Sequence, residues 1–133
     1  MQYLPTNLFG SSVYLKKLDL TGADSLTTIK SGCFSGVVGN LLEVYLPSLE
    51  WWATIKVADI SASPFYATGV KAYINGELLT EIVNPYISNI PDLFLYGYDF
   101  LTKLELKTDV LSIGKRAFMN NIGLVSVVLS GNL

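Results

Sequence analysis

The chain has 133 residues, of which 50% are hydrophobic and 15% are charged, and its formal net charge is −2. This length suits one domain with its own hydrophobic core. No apolar run approaches the roughly 18 residues that a spanning helix needs, so we expect no membrane span. The nine Lys and Arg residues are scattered along the chain. This distribution argues against a nucleic-acid partner.

Histidine is absent and Cys33 is the single cysteine, which restricts the chemistry that the chain can perform. A Ser-His-Asp triad, a Cys-His pair and a histidine-containing zinc site are excluded. One cysteine also excludes an internal disulfide and a thiolate cluster. We therefore predict a protein that is not an enzyme and that has no catalytic residue, metal site or cofactor. Eleven carboxylates leave a two-carboxylate glycosidase formally open.

The first predicted elements in chain order are coils of a repeat. Residues 1–14 match the closing half of a coil, and residues 15–40 form the next one, which opens with Leu-x-x-Leu-x-Leu at Leu15. Leu41 begins the following coil, 26 residues after Leu15. The additional residues of this coil lie in turn-rich stretches at 21–25 and 36–40.

The third coil, 41–78, carries an insert. Leu41 and the next equivalent leucine, Leu79, are 38 residues apart, about 15 more than one regular coil. Asn75-Gly76 stands between two strand-like runs and predicts a β-hairpin, because both residues tolerate the positive φ angles of a type I′ turn. Residues 51–57 are rich in strand-forming residues and predict a strand. We expect the second strand of the hairpin to lead into the next coil.

The remaining coils are the most regular. They cover residues 79–100 and 101–123, and residues 124–133 begin a further one. The leucine pattern recurs after 23 residues, from Leu101 to Leu124. A fixed period of this size is typical of a leucine-rich solenoid, in which each repeat stacks on the next. Terminal coils of a solenoid need a polar cap, and none is recognisable here. The sequence therefore predicts either an excised piece or ends that another chain covers.

Residues 101–119 resemble the BspA-like, Treponema-type leucine-rich repeat of bacterial surface proteins. That repeat follows the pattern L-x-x-I-x-I-P-x-x-V-x-x-I-G-x-x-A-F, and Gly114, Ala117 and Phe118 are its most diagnostic matches here. The resemblance implies a right-handed solenoid with a parallel β-sheet and a role in surface display, adhesion or host contact. Cys33 and Phe34 align with the Ala-Phe pair, so both pairs are predicted to lie in the core.

These observations define the predicted fold. It is an α/β-type repeat that is mostly β: a right-handed leucine-rich-repeat solenoid with a parallel sheet of about five strands and a β-hairpin insert. All 133 residues are assigned to a single leucine-rich-repeat domain.

Two groups of residues are candidates for binding a partner. The polar positions of the repeated strands are predicted to line the outer face of the sheet, where Lys17, Glu43, Glu81 and Lys103 share one repeat position. Glu43 and Glu81 are predicted to be neighbours there. The aromatics of the insert form the second group, because adjacent tryptophans on a strand face opposite ways and one of them points outward. Together the candidate partner-binding residues are Trp51, Trp52, Tyr66, Tyr96, Tyr98, Lys17, Glu43, Tyr45, Glu81, Lys103 and Glu105.

The functional prediction is a non-enzymatic leucine-rich-repeat segment of a bacterial surface or secreted protein that mediates protein binding or adhesion. Its partner is predicted to be a protein, either from a host or a neighbouring subunit, and the open ends predict end-to-end self-association. The expected location is extracellular or at the cell surface, although no signal sequence is visible. The alternative is a structural spacer or assembly module of a larger envelope or phage particle. A carbohydrate-active fragment is the third hypothesis.

Overall fold

A computed structural model describes residues 1–37, 39–107 and 109–131 of the chain. The predicted turn at 36–40 and the predicted coils at 101–123 and 124–133 each include positions outside these described residues. The elements are short, and strands predominate. The strands are β1 (Tyr3–Leu4), β2 (Lys17–Asp19), β3 (Thr28–Ile29), β4 (Glu43–Leu46), β5 (Lys56–Val57), β6 (Lys71–Ile74), β7 (Glu77–Leu78), β8 (Glu81–Val83), β9 (Asn89–Ile90), β10 (Lys103–Leu106), β11 (Ser112–Ile113) and β12 (Ser126–Leu129). The helices are α1 (Leu49–Trp52) and a 3-10 turn (Ile60–Ala62).

Two series of parallel strands run along the molecule. The front ladder contains β2, β4 and β6, followed by β8, β10 and β12; the back ladder contains β1, β3 and β5, followed by β9 and β11. The chain alternates between the ladders and makes a β-solenoid of about five turns. The predictions of a mostly β fold, parallel sheets and a solenoid built from repeats are therefore confirmed.

The core lies between the two ladders because alternate side chains of each strand point inward. On the front ladder the buried positions are Leu18, Val44 and Ala72, which are in register, and then Ile82 and Leu104. Their outward neighbours are mostly polar or aromatic, with Val83 as an exposed aliphatic one. The repeated leucine pattern of the sequence is thus the buried side of successive parallel strands.

The Asn75-Gly76 hairpin is confirmed. Strands β6 and β7 are antiparallel, with Ile74 opposite Glu77, and the φ angles of Asn75 and Gly76 are 52° and 77°. Both angles lie in the left-handed region that a type I′ turn requires. The second strand ends at Leu78, and β8 begins as a separate strand of the front ladder.

The first strand of this hairpin is itself a rung of the front ladder. Lys71 is in register with Glu43, so β6 lies directly beside β4. Alternation of Val70, Ala72 and Ile74 explains this position, since these apolar side chains fit the inward side of the ladder. The chain then turns back at the hairpin, and none of the strands that the structure describes lies between β5 and β9 in the back ladder. Each ladder is consequently interrupted at the same level of the solenoid.

Three aromatic side chains close the core at this interruption. The Trp52 indole donates a hydrogen bond from Nε1 to the Phe94 carbonyl oxygen at 2.6 Å. Phe65 packs edge-on against Trp52 and against Tyr98, with ring centroids 5.8 and 5.4 Å apart. These contacts join the residues before the interruption to those after it.

The strand predicted at 51–57 is wrong over most of its length. Leu49–Trp52 forms a helical turn, in which the Ser48 hydroxyl accepts a hydrogen bond from the Trp51 backbone N–H at 2.9 Å. A serine at this capping position favours helix over strand. Only Lys56–Val57 is a strand. Trp51 and Trp52 therefore do not face opposite sides of a strand.

The predicted core pairs differ from each other in burial. Cys33, Phe34 and Ala117 are buried, whereas Phe118 is only partly buried and packs edge-on against Phe94 at 6.0 Å. Burial raises the pKa of the Cys33 thiol to about 11. Cys33 is therefore a small, protonated core side chain, as its alignment with Ala117 predicts.

Candidate functional site

The predicted partner-binding residues lie in three different places. Six are on the outward side of the front ladder, which we call the front face: Lys17, Glu43, Tyr45, Glu81, Lys103 and Glu105. Two lie in the core, and Tyr66 and Tyr96 line cavities away from the front face. Trp51 is partly buried in α1 beside Trp52, with ring centroids 6.2 Å apart. The structure thus does not bring them into a single site.

Trp52 and Tyr98 belong to the core. Their side chains are 1% and 0% exposed, so neither reaches a partner on the folded surface. Besides the Trp52 indole bond, the Tyr98 hydroxyl donates to the Leu79 carbonyl oxygen at 2.6 Å and accepts from the Ala72 N–H at 3.3 Å. Burial raises the pKa of Tyr98 to about 12. Tyr98 is buried because it satisfies backbone groups at the interruption in the front ladder, whereas Trp52 satisfies the Phe94 carbonyl oxygen in a turn.

One row of the front face carries alternating charges. Lys17 is in register with Glu43, and Glu43 with Lys71; beyond the interruption, Glu81 is in register with Lys103. The prediction that Glu43 and Glu81 are neighbours is therefore wrong, because Lys71 of β6 lies beside Glu43. Opposite charges on neighbouring strands attract one another, which stabilises this face.

A second row contains a tyrosine pair. Tyr45 is in register with Tyr73, and their rings stack with centroids 5.1 Å apart and planes inclined by 16°. The Lys17 ammonium lies 4.7 Å from the centre of the Tyr45 ring. The Tyr45 hydroxyl donates to the Glu43 carboxylate, and this hydrogen bond is the main reason why the pKa of Tyr45 is raised to about 12. The row is thus an ordered aromatic and charged surface.

The part of the front face on β8, β10 and β12 carries an ion pair and exposed valines. Lys103 and Glu105 form a salt bridge of 3.5 Å along one strand. Val83 and Val128 flank Glu105 on the two neighbouring strands, and both valines are exposed. An exposed ion pair of this kind contributes little to stability.

Lys71 and Tyr73 are front-face residues that the sequence analysis missed. The leucine pattern of the sequence passes from Leu41 to Leu79, so it assigns both residues to an insert and not to a strand of the ladder. The alternation of Val70, Ala72 and Ile74 is the signal that identifies their strand, because it matches the apolar spacing of β4. With Tyr73 in place, the front face carries the aromatic pair that the pattern alone did not reveal.

A cleft opens on the other side, where the back ladder is interrupted. We call it the back cleft. Its two larger cavities, of about 560 and 340 Å³, share Ala58 and Asp92. One wall is the segment 53–61, and the other consists of residues 91–93 with Lys115 and Arg116. Tyr66 lines the larger cavity, and both Tyr66 and Tyr96 line a third cavity of about 260 Å³ that continues it.

The carboxylates of the back cleft are held by this chain's own donors. Asp59 accepts hydrogen bonds from the hydroxyls of Ser31 and Ser61 and from the Ala62 N–H, and the Ser31 bond is the largest cause of its lowered pKa. Asp92 accepts from the Lys115 N–H at 2.7 Å. Within the described parts of the chain, no cluster of three potential metal-binding Cys, Asp or Glu residues occurs.

Over the part of the chain that the structure describes, fold and surface together define a β-solenoid of mostly parallel strands with an interruption, a front face and a cleft behind it. Comparison of the chain with protein-family models, with curated proteins and with solved structures gives no match. Among residues 1–37, 39–107 and 109–131, no helix is long and apolar enough to cross a membrane.

Proposed function

We propose that this chain is a non-enzymatic leucine-rich-repeat segment of a bacterial surface or secreted protein, and that its front face binds another protein in adhesion. The stacked pair of Tyr45 and Tyr73 is the observation that carries this proposal. Both rings are partly exposed, and Lys17 and Glu43 fix the position of one of them. The pair supplies an ordered aromatic surface on hydrogen-bonded strands.

Such a surface suits protein recognition for a physical reason. Tyrosine offers a large contact area and a hydroxyl, and it is enriched at the energetically important centres of interfaces. Contacts within the sheet already restrict these rings, so little conformational entropy is lost when a partner binds. The alternating charges of Lys17, Glu43 and Lys71 add an electrostatic pattern around them, which favours a selective partner.

The bacterial surface assignment rests on the repeat pattern. Its diagnostic positions have physical roles that suit tightly stacked coils. Ala117 is buried, and a Cβ atom on Gly114 would lie 2.3 Å from the Asp92 backbone nitrogen of the preceding coil. An extracellular or cell-surface location is part of the same proposal.

A bead adhesion assay tests this function. Beads coated with the chain are applied to wells that carry collagen, laminin or fibronectin, and retention under flow is measured. We expect retention above that of albumin-coated beads on at least one protein. The double variant Tyr45→Ser/Tyr73→Ser should lose most of this retention, and so should Lys17→Glu.

The matched control is the double variant Tyr14→Ser/Tyr86→Ser, which removes two tyrosines that are 88% and 87% exposed away from the stacked pair. It should be retained like the unchanged chain. No retention above albumin, or equal retention of the front-face variants, would contradict the proposal. Thermal melting of each variant separates lost binding from lost folding.

A spacer or assembly module of a larger envelope or phage particle is the second candidate function. The observation that favours it is the apolar character of β12. Val127 and Leu129 are in register with the buried Leu104 and Leu106, yet they are 50% and 52% exposed. An apolar strand of this kind is suited to pairing with a further strand, which in an assembled particle would come from a neighbouring chain.

Sedimentation of a polypeptide of these 133 residues tests the second candidate. We expect association that increases with concentration and that Val127→Lys/Leu129→Lys abolishes. Tyr86→Lys should have no effect, because Tyr86 does not belong to this strand. A polypeptide that stays monomeric at high concentration would rule out end-to-end stacking through β12.

A further inference from the structure

The back cleft exists because the back ladder lacks one strand. In the front ladder, β6 follows β4 and precedes β8; in the back ladder, no strand of the described residues occupies the corresponding level between β5 and β9. Both β5 and β9 are edge strands, and their segments contribute to the two walls of the cleft. Edge strands present backbone donors and acceptors that are suited to pairing.

The hydrogen bonds of β5 show which of its backbone groups face the cleft. Lys56 and Ala58 donate their backbone N–H groups to the Thr27 and Ile29 carbonyl oxygens of β3, at 2.8 and 3.1 Å. Successive residues of a strand direct these groups to opposite edges. The N–H and C=O of Val57 therefore point away from β3, towards the cleft. An added strand would find one donor and one acceptor there.

Charge indicates which side chains such a strand carries. The two larger cavities are lined by three cationic residues, Lys56, Lys115 and Arg116, and by two carboxylates, Asp59 and Asp92. Both carboxylates already accept hydrogen bonds from this chain. Among the described residues, the only salt bridge joins Lys103 and Glu105, so the three cations make no ion pair. The complementary ligand is anionic.

We infer that the back cleft binds an extended acidic segment of a partner polypeptide, which adds as a strand beside Val57 and places its carboxylates against Lys115 and Arg116. This mode is β-strand addition, in which main-chain hydrogen bonds give affinity and side-chain contacts give specificity. The combined cavities fall within the size range of ligand clefts. The inference concerns a different surface from the front face, so either proposal can fail while the other stands.

Fluorescence anisotropy with labelled heptapeptides tests this inference. The probes alternate valine with glutamate, with lysine or with serine. The glutamate peptide should bind saturably, and the lysine peptide at least tenfold more weakly. A glutamate peptide that is N-methylated at its central valine should also lose at least tenfold, because it cannot complete the strand pairing. Amide chemical shifts should change at Val57, Lys115 and Arg116.

The double variant Lys115→Glu/Arg116→Glu should reverse the preference between the glutamate and lysine peptides. Lys16→Glu/Lys107→Glu is the matched control, since it changes the net charge equally with residues that do not line the cleft, and it should retain the original preference. Three results would each overturn the inference: no saturation by the glutamate peptide at millimolar concentration, equal binding of its N-methylated form, or shift changes confined to another face. The peptide comparisons on the unchanged chain remain decisive even if the variant does not fold.

Discussion

The Tyr98 hydroxyl donates a hydrogen bond to the Leu79 carbonyl oxygen at 2.6 Å and accepts one from the Ala72 backbone N–H at 3.3 Å. One buried side chain thus connects β6 with the segment that enters β8. Elsewhere in the front ladder, neighbouring strands are joined by hydrogen bonds between parallel backbones. The Leu79 backbone N–H also donates to the Ala72 carbonyl oxygen at 2.8 Å, so a side chain and a backbone hydrogen bond together bridge the interruption of the solenoid.

Tyr98→Phe should destabilise the protein by about 1–3 kcal/mol, because it leaves buried backbone groups without a partner. Urea denaturation followed by circular dichroism measures the loss. Tyr86→Phe is the control, since Tyr86 is 87% exposed, and it should leave the free energy of unfolding unchanged. If both variants unfold at the same urea concentration as the unchanged protein, the bridging role of Tyr98 is wrong.

Phe34→Ala should cost about 3–5 kcal/mol, the range for removing a fully buried phenylalanine. Phe34 is 0% exposed and stacks on Phe9 at 5.5 Å. Phe118→Ala should cost less, because Phe118 is only partly buried although it has the same repeat position. Denaturant midpoints of the two variants give the comparison. A larger loss at Phe118 than at Phe34 is incompatible with the described packing.

Gly114→Ala should destabilise the protein by about 1–3 kcal/mol, as overpacking does elsewhere. The new Cβ atom would lie 2.3 Å from the Asp92 nitrogen and 2.5 Å from the Pro91 carbonyl carbon, so two coils would have to separate. Gly22→Ala is the matched control, because nothing lies within 4 Å of its Cβ position. It should be neutral or stabilising by up to about 1 kcal/mol. Thermal melting that ranks the two variants in the opposite order would refute this stacking.

The Cys33 thiol should react slowly with a thiol reagent at pH 8 while the protein is folded. Its pKa is raised to about 11 from a reference of 9.0, so about 100-fold less thiolate is present than in the unfolded chain. Since the unfolded thiol ionises first, this group lowers stability as the pH rises from about 9 to about 11. Cys33→Ala should remove that part of the alkaline loss. Equal labelling rates in buffer and in urea would show that Cys33 is not buried.

The repeat pattern is sufficient to predict the solenoid and the core, because positions that are buried at a fixed spacing require apolar residues at the same spacing in the sequence. Leu104, Leu106 and Ala117 are buried where the 23-residue period predicts. The Asn75-Gly76 hairpin is equally predictable from the sequence, since few residues tolerate its positive φ angles. Local sequence and long-range packing agree at all these positions.

Residues near the interruption were harder to predict because tertiary contacts decide their roles. Trp52 and Tyr98 are attractive surface candidates by residue type, yet each one satisfies a backbone carbonyl inside the core. Glu43 acquires Lys71 as a neighbour only because β6 enters the front ladder. The spacing between Leu41 and Leu79 does not reveal that β6 is an additional strand of the front ladder.

Strand β6 lies beside β4, and among the described strands this front-ladder strand has no counterpart in the back ladder. Backbone nuclear Overhauser effects on isotope-labelled protein test this arrangement most directly. We expect parallel-strand contacts between β4 and β6, with Val44 paired to Ala72 and Glu43 to Lys71. Contacts that pair Glu43 with Glu81 instead would place β8 beside β4 and would contradict it.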